Sequence, residues 1–264
     1  MELKTDKMLA EVADGIGWVT FNNPARRNAI SLEMWEGLGT ILEHFQQDDS
    51  VRVVVMKGAG DKAFVSGADI SEFGENRSNV EQSKSYAQTS AHANYWLRKL
   101  DKPLIGMVQG YCIGGGLAVA LNADVRFATP DSQFGIPATK LGVGYDFPGT
   151  FALARLVGPS QARDILFSAR LIDAEEALRL GLINFLVGRD ELESRVVEYA
   201  ENLAARAPLT VKLFKESINQ FERTEQDRDL ELLKQLVNDC FESDDYAEGR
   251  KAFMEKRTPE FKGK

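Results

Sequence analysis

The sequence predicts an α/β fold with a helical C-terminal region, on three observations. Short apolar, β-branched runs alternate with longer segments whose apolar residues recur at 3–4 spacing. Strand-like runs fade after about residue 148, and from Leu209 onward the chain reads as charged helix. The 264 residues suit one large domain, or a domain with an appendage. A boundary at Pro208 gives an α/β core over 1–207 and a helical region over 208–264. No internal repeat or low-complexity segment interrupts this plan.

The elements follow in order. Met8 to Ala13 and Ile16 to Asn22 read as a hairpin around the tight-turn pair Asp14-Gly15. Ser31 is an N-cap for a helix burying Trp35, Leu38, Ile41, Leu42 and Phe45. Val51 to Met56 is a buried strand, Ser83 to Leu100 a helix, and Pro103 to Gln109 a strand again. Gly114-Gly115-Gly116 opens an Ala/Leu-rich helix, and Asp124 to Thr129 is strand-like. Pro148 to Val157, Pro159 to Ala169 and Asp173 to Leu180 read as successive helices. The last carries an Asp173…Glu176 capping box and Gly181 as its stop. A short strand, Ile183 to Val187, precedes a helix running to Ala207, where Pro208 ends it. The stripe Leu230, Leu233, Val237, Cys240 and Phe241 lies on a helix from about Gln226 to Glu242 and must bury against something.

Composition excludes several function classes. A net charge of −8 and a pI near 5.0 argue against a nucleic-acid binder, which needs excess cations to neutralise phosphates. No stretch of about 18 apolar residues marks a membrane span, and the polar N-terminus does not resemble a signal peptide. Two cysteines, Cys112 and Cys240, cannot build a disulfide scaffold, so a reducing cytoplasm is expected. His44 and His92 stand apart from any metal-ligand spacing, so no metal is expected.

Two segments break the periodicity with small residues. One is Ala63-Phe64-Val65-Ser66-Gly67-Ala68-Asp69-Ile70, the other Gly110-Tyr111-Cys112-Ile113-Gly114-Gly115-Gly116. Both can present free backbone N–H groups, the second at a helix N-terminus. Two such groups converging on one carbonyl oxygen make an oxyanion hole, and a tight packing turn reads equally well from the residues alone. Neither segment is a phosphate-binding loop or a nucleophile elbow.

Together with Pro24-Ala25-Arg26-Arg27-Asn28-Ala29-Ile30, these segments resemble the crotonase, or enoyl-CoA hydratase/isomerase, superfamily. Ser132 to Pro137, Ala174-Glu175-Glu176-Ala177 with Gly181-Leu182-Ile183, and the tail Glu248 to Pro259 match as well. The motifs occur in family order over nearly the whole chain. The resemblance implies a spiral of ββα units, with C-terminal helices that assemble homotrimers or dimers of trimers. It implies an acyl-CoA substrate, with coenzyme A part of that substrate and no prosthetic group. By position, the backbone N–H groups of Ala68 and Gly115 would hold a thioester enolate. Ala25, Arg26, Arg27, Ser66, Asp69 and Ile70 would line the coenzyme. Phe253 and Lys256 would reach it from the tail of the same or a neighbouring subunit, unless those cations are simply a solvated face.

The sequence departs from the family where hydration is performed. The two glutamates that hold and activate water fall on Ala118 and Ala138, and alanine can do neither. The acid left nearby is Asp146, which suits either an acid/base or a helix cap. An aspartate there resembles the acid/base of dienoyl-CoA isomerases and the nucleophile of 4-chlorobenzoyl-CoA dehalogenases. The dehalogenase aromatic wall would be Ala138, and its histidine base would fall on Ala91, beside His92. A one-residue shift turns a helical side chain by about 100°, so His92 reads as a surface or interface residue. Tyr145 resembles the decarboxylases acting on methylmalonyl-CoA, and equally suits packing. The readings carried forward are an enolate-stabilising isomerase, decarboxylase or dehalogenase-like enzyme, or a weakly catalytic acyl-CoA-binding protein.

Charge distribution agrees with a small polyanionic ligand. Residues 222–248 carry net −7 and residues 249–264 net +4. With Arg26 and Arg27 the tail forms cationic islands on an acidic chain.

Overall fold

The computed structural model describes residues 1–69, 80–145 and 147–264; for 80–87 and 147 only the backbone is described. Strands β1 (Met8–Ala13) and β2 (Ile16–Phe21) form the expected antiparallel hairpin. Asp14 and Gly15 both take positive φ, +52° and +80°, as a twisted two-residue turn requires. Helix α1 (Leu32–Gln47) starts where Ser31 Oγ accepts the Met34 N–H, and returns the chain for β3 (Val53–Gly58) to pair parallel with β2.

From β3 onward the chain spirals. Each turn lays one strand in a six-stranded sheet, then a three-residue strand in a smaller sheet, and then a helix. The turns are β3 and β4 (Ala63–Val65) with α2 (Val80–Lys99), then β5 (Leu104–Val108) and β6 (Tyr111–Ile113) with α3 (Gly115–Ala120). Next come β7 (Val125–Ala128) and β8 (Gln133–Gly135) with α4 (Phe147–Ser168). β9 (Ile172–Asp173) closes the small sheet antiparallel to β8, and β10 (Phe185–Leu186) closes the large one parallel to β7. This is the ββα spiral expected from the resemblance.

At β3 both faces of the large sheet are buried, which explains the unbroken apolar run there. Val54 and Met56 point into the main core with Phe21, Phe64 and α1. Val53 and Val55 point into a second core with Trp18, Ile105 and Phe127, covered by Leu192, Val196 and Ala200 of α6 (Leu192–Ala204). Alternate residues of one strand therefore serve two cores.

The two helices expected over 148–169 are both present within α4, separated at Gly158, whose non-helical φ of +79° ends the first before Pro159 opens the second. Two other sequence expectations change in detail. Asp173 caps α5 (Ala174–Arg179) as expected, but the Glu176 carboxylate turns to Arg170 at 2.7 Å. Helix α6 stops at Ala204, and Pro208 opens α7 (Pro208–Phe221), because a residue without an N–H costs nothing in a helix's first turn. Ion pairs of Lys212 with Asp101 (2.9 Å) and Lys215 with Asp124 (2.8 Å) fasten α7 to the strand starts. Helices α8 (Leu230–Glu242) and α9 (Asp244–Glu255) follow. No helix among the described residues is long and apolar enough to cross a membrane.

Candidate active site

The site is assembled by the turn after β2. Asn28 is fully buried with φ +57°; its Oδ1 accepts the Asn23 N–H at 2.9 Å. Its Nδ2 donates to the carbonyls of Ala59 and Ala63, at 2.9 and 2.8 Å. One side chain thus fixes the arginine turn against the start of β4. In the sequence Asn28 stands only as one residue of the Pro24-to-Ile30 motif. The signal available was an asparagine after a Pro-Ala-Arg-Arg turn, where a left-handed residue tends to be Asn or Gly.

That turn delivers the cations and receives the small-residue loop. Arg26 Nη1 pairs with Asp69 Oδ1 at 3.0 Å, and the Arg27 guanidinium lies 5.2 Å from the centre of the Tyr111 ring. The Ser66 N–H donates to the Arg27 carbonyl at 3.1 Å, and Ala25 sits exposed in the same short helical turn. A parallel bridge then joins Ile30 to Ala68. In it Ile30 N–H donates to the Gly67 carbonyl (2.8 Å) and Asp69 N–H to the Ile30 carbonyl (2.9 Å). Such a bridge uses the amides and carbonyls flanking Ala68 and turns the Ala68 N–H to the opposite side.

The facing loop comes from the next turn of the spiral. Gly114 takes φ +55°, and its N–H donates to the Gly135 carbonyl at 2.8 Å, tying the loop to β8. Gly115 follows as the first residue of α3, where an N–H has no acceptor within the helix. A Cβ built on Gly115 would stand 3.7 Å from the Ala68 amide nitrogen, so the two backbone positions face each other closely. Gly116 packs so tightly on β4 that a Cβ there would collide with the Val65 carbonyl and sit 2.7 Å from Val65 Cβ. Tyr145 reaches the same place, its Oη 3.7 Å from where a Gly114 side chain would begin.

The remaining candidates are distributed unevenly. Ala118 and Ala138 are half-buried, the latter against the main core, and neither brings a carboxylate. Asp146 and Ile70 lie outside the described residues. Phe253, 83% exposed, and Lys256, the left-handed end of α9, stand apart from the two loops on the C-terminal helices. His92 accepts from Trp96 Nε1 at 3.0 Å and faces Glu43 at 3.1 Å on a half-exposed surface between α1 and α2. Cys112 is wholly buried, and burial pushes its thiol well above the usual range, which rules it out as a nucleophile at neutral pH. The arrangement brings the Ala68 and Gly115 backbone close together beside a phenol, with two arginines on the adjoining turn.

Known proteins share this build. The family described as Enoyl-CoA hydratase/isomerase matches residues 11–264. The short-chain-enoyl-CoA hydratase of Clostridium acetobutylicum is 34% identical over 255 residues, covering 97% of each chain. The crotonyl-CoA hydratase of Syntrophomonas wolfei is 32% identical, covering 97% of this chain and 98% of its own. Among solved structures, an enoyl-CoA hydratase/carnithine racemase from Magnetospirillum magneticum superposes with a TM-score of 0.90 at 35% identity. That match covers 99% of this chain and 97% of the other.

Proposed function

Because the chain belongs to the enoyl-CoA hydratase/isomerase family, we propose that it forms an acyl-CoA enolate held by the N–H groups of Ala68 and Gly115. The observation that carries this reading is the close approach of those two backbone positions. An enolate oxygen gains most from donors fixed before the charge develops. Both donors belong to main chain braced on strands, Ala68 through its bridge to Ile30 and Gly115 through β6 and β8.

Asp146 is the acid/base of this reading. Its carboxylate takes a proton from the carbon beside the thioester, and the electron pair passes to the carbonyl oxygen. In an isomerase the same carboxyl returns the proton two carbons further along, and the double bond moves. Ala118 and Ala138 leave no pair of carboxylates to activate water, which disfavours the hydration chemistry of the named relatives. A second reading rests on Tyr145 beside Gly114. In a decarboxylase loss of carbon dioxide itself leaves the enolate, so no base is needed and a phenol suffices to orient the leaving carboxylate.

Coenzyme A, as part of the substrate, lies along Ala25, Arg26, Arg27, Ser66, Asp69 and Ile70, with Phe253 and Lys256 supplied by a neighbouring subunit. The exposed apolar residues of the C-terminal helices, Phe214, Ile218, Phe221 and Phe241, support a homotrimer, built by a region beginning at Pro208. Light scattering returning a monomer overturns that assembly. The reaction is tested by assaying purified protein against crotonyl-, 3-enoyl-, dienoyl-, methylmalonyl- and halobenzoyl-CoA, with Asp146→Asn alongside. Turnover of a 3-enoyl or dienoyl thioester, lost in Asp146→Asn, is the expected result. No turnover on any of the five leaves the weakly catalytic binding protein. Equal turnover by the variant removes Asp146 from the mechanism.

A further inference from the structure

Arg126, on strand β7 beside the edge strand β10, is only 3% exposed, and no carboxylate pairs with it among the described residues. Its acceptors are main-chain carbonyls. Nε donates to Leu182 at 2.7 Å, and Nη1 donates to Ala123 and, at 3.4 Å, to Ala120. Burial draws its pKa down to about 10, which leaves it charged at neutral pH. A charge taken out of water without a counter-ion is costly, so its place needs a reason beyond filling space.

The reason lies in which carbonyls it holds. Ala120 is the last residue of α3, and Ala123 lies in the turn that follows. The last carbonyls of a helix have no donors of their own within it. Arg126 supplies them from a mount that cannot swing, because its own backbone is locked to Asn184 in both directions at 2.9 Å. The first residue of this helix is Gly115. Six residues at 1.5 Å each put the two ends about 9 Å apart. Contact between Gly116 and Val65 stops α3 from moving sideways, and the guanidinium fork stops it from sliding or rotating along its axis.

The geometry points to Arg126 as a positioning residue for the Gly115 donor, its fixed charge at the far end of α3 favouring negative charge at the near end. This rests on the enolate reading above. A cation at a helix C-terminus and an anion at its N-terminus act in the same sense, and a buried charge is poorly screened.

The test reads the carbonyl directly. Crotonyl-CoA carrying 13C at the thioester carbon is bound to the protein, and its carbonyl stretch is followed by difference infrared spectroscopy. The wild-type protein lowers the frequency relative to free ligand. Arg126→Met loses at least half of that displacement, and Arg126→Lys, which keeps the charge but not the fork, loses less. The dissociation constant for the ligand moves by less than about threefold, while kcat on the substrate turned over falls by about tenfold, as for a donor displaced by a fraction of an ångström. A merely structural arginine would lower thermal stability and leave the frequency alone. An unchanged frequency in folded Arg126→Met therefore overturns the inference. Should that variant not fold, an unchanged frequency and kcat in Arg126→Lys overturns it. A bound crotonyl-CoA whose carbonyl is unshifted in the wild type overturns the enolate reading and, with it, the role assigned to Arg126.

Discussion

Arg26 Nη1 lies 3.0 Å from Asp69 Oδ1, joining the turn after β2 to the loop after β4. The arginine side chain is 56% exposed and the aspartate side chain 11%, so the pair shows its cation to solvent and hides its anion. The loop does not depend on that carboxylate alone, because the Asp69 N–H is separately bonded to Ile30. Removing the negative charge should leave the loop in place and make Arg26 a stronger partner for phosphate. Asp69→Asn is expected to lower KM for an acyl-CoA substrate. Arg26→Gln should raise it by about three- to tenfold, the worth of one charge-assisted contact at a wet site. Steady-state kinetics on both variants checks this. A rise in KM in both would mean that the carboxylate orients the cation more than it competes for it.

Gly115 and Gly116 are adjacent and should respond oppositely to alanine. The nearest neighbours of a Cβ at 115 are ordinary contacts at 3.7 and 3.8 Å, whereas a Cβ at 116 meets the β4 backbone. Gly116→Ala is expected to cost about 1–3 kcal/mol or more, the usual price of overpacking. Gly115→Ala should fold with a change under about 1 kcal/mol and place a methyl group toward Ala68, where the enolate oxygen is proposed to sit. Thermal melts separate the two, and kcat should fall in Gly115→Ala despite its intact fold. A Gly115→Ala enzyme of full activity would remove this amide from the oxyanion site.

Much of this layout can be read from the sequence, and the exceptions have physical causes. The hairpin, the Ser31 cap and the β3 strand are local: a turn pair, a capping hydroxyl and a β-branched run each specify their own backbone. The small sheet is not local. Ala63–Val65, Tyr111–Ile113 and Gln133–Gly135 are three residues each, too short for any alternation to show, and the glycines in and around them, Gly67, Gly110, Gly114 and Gly135, suggest loops. They become strands only because the spiral stacks them. For the site, the arginine turn and both small-residue loops stand out in the sequence, whereas Asn28 and Arg126 do not. Their partners lie up to 35 and 56 residues away, and a buried polar side chain announces itself only once its acceptors are in place.

The alanines at 118 and 138 give a gain-of-function prediction. Both are half-buried, Ala118 in the helix that Gly115 opens and Ala138 bonded through its carbonyl to the Leu141 and Val143 amides of the loop leading to Tyr145, so the double variant Ala118→Glu with Ala138→Glu would restore the carboxylate pair that hydration requires. Hydration of crotonyl-CoA should rise by about 10²- to 10⁴-fold over the unmodified protein, the range of general acid–base assistance. Loss of absorbance from the conjugated thioester measures it. A folded double variant with no gain would mean that the backbone at these positions does not aim side chains at the reacting carbons.

The C-terminal tail should respond to acid through Glu248. Its carboxylate accepts from Arg257 at 2.6 and 2.8 Å and from the Glu260 N–H at 3.0 Å, folding the tail back along α9. Those bonds, the Arg257 contact first, hold its pKa down to about 2 from an ordinary 4.5. A carboxyl group depressed in the folded state stabilises that state fully above its unfolded pKa and ceases to do so as pH falls through the folded one. Docking of the tail by this contact should therefore be constant from neutral pH to about 4.5 and weaken between 4.5 and 2. Protection of the Glu260 amide from hydrogen exchange, followed across that window, reports it. Glu248→Gln should lack this step because the group that titrates is gone. A variant that loses protection over the same interval would assign the acid response to another carboxylate and remove Glu248 from it.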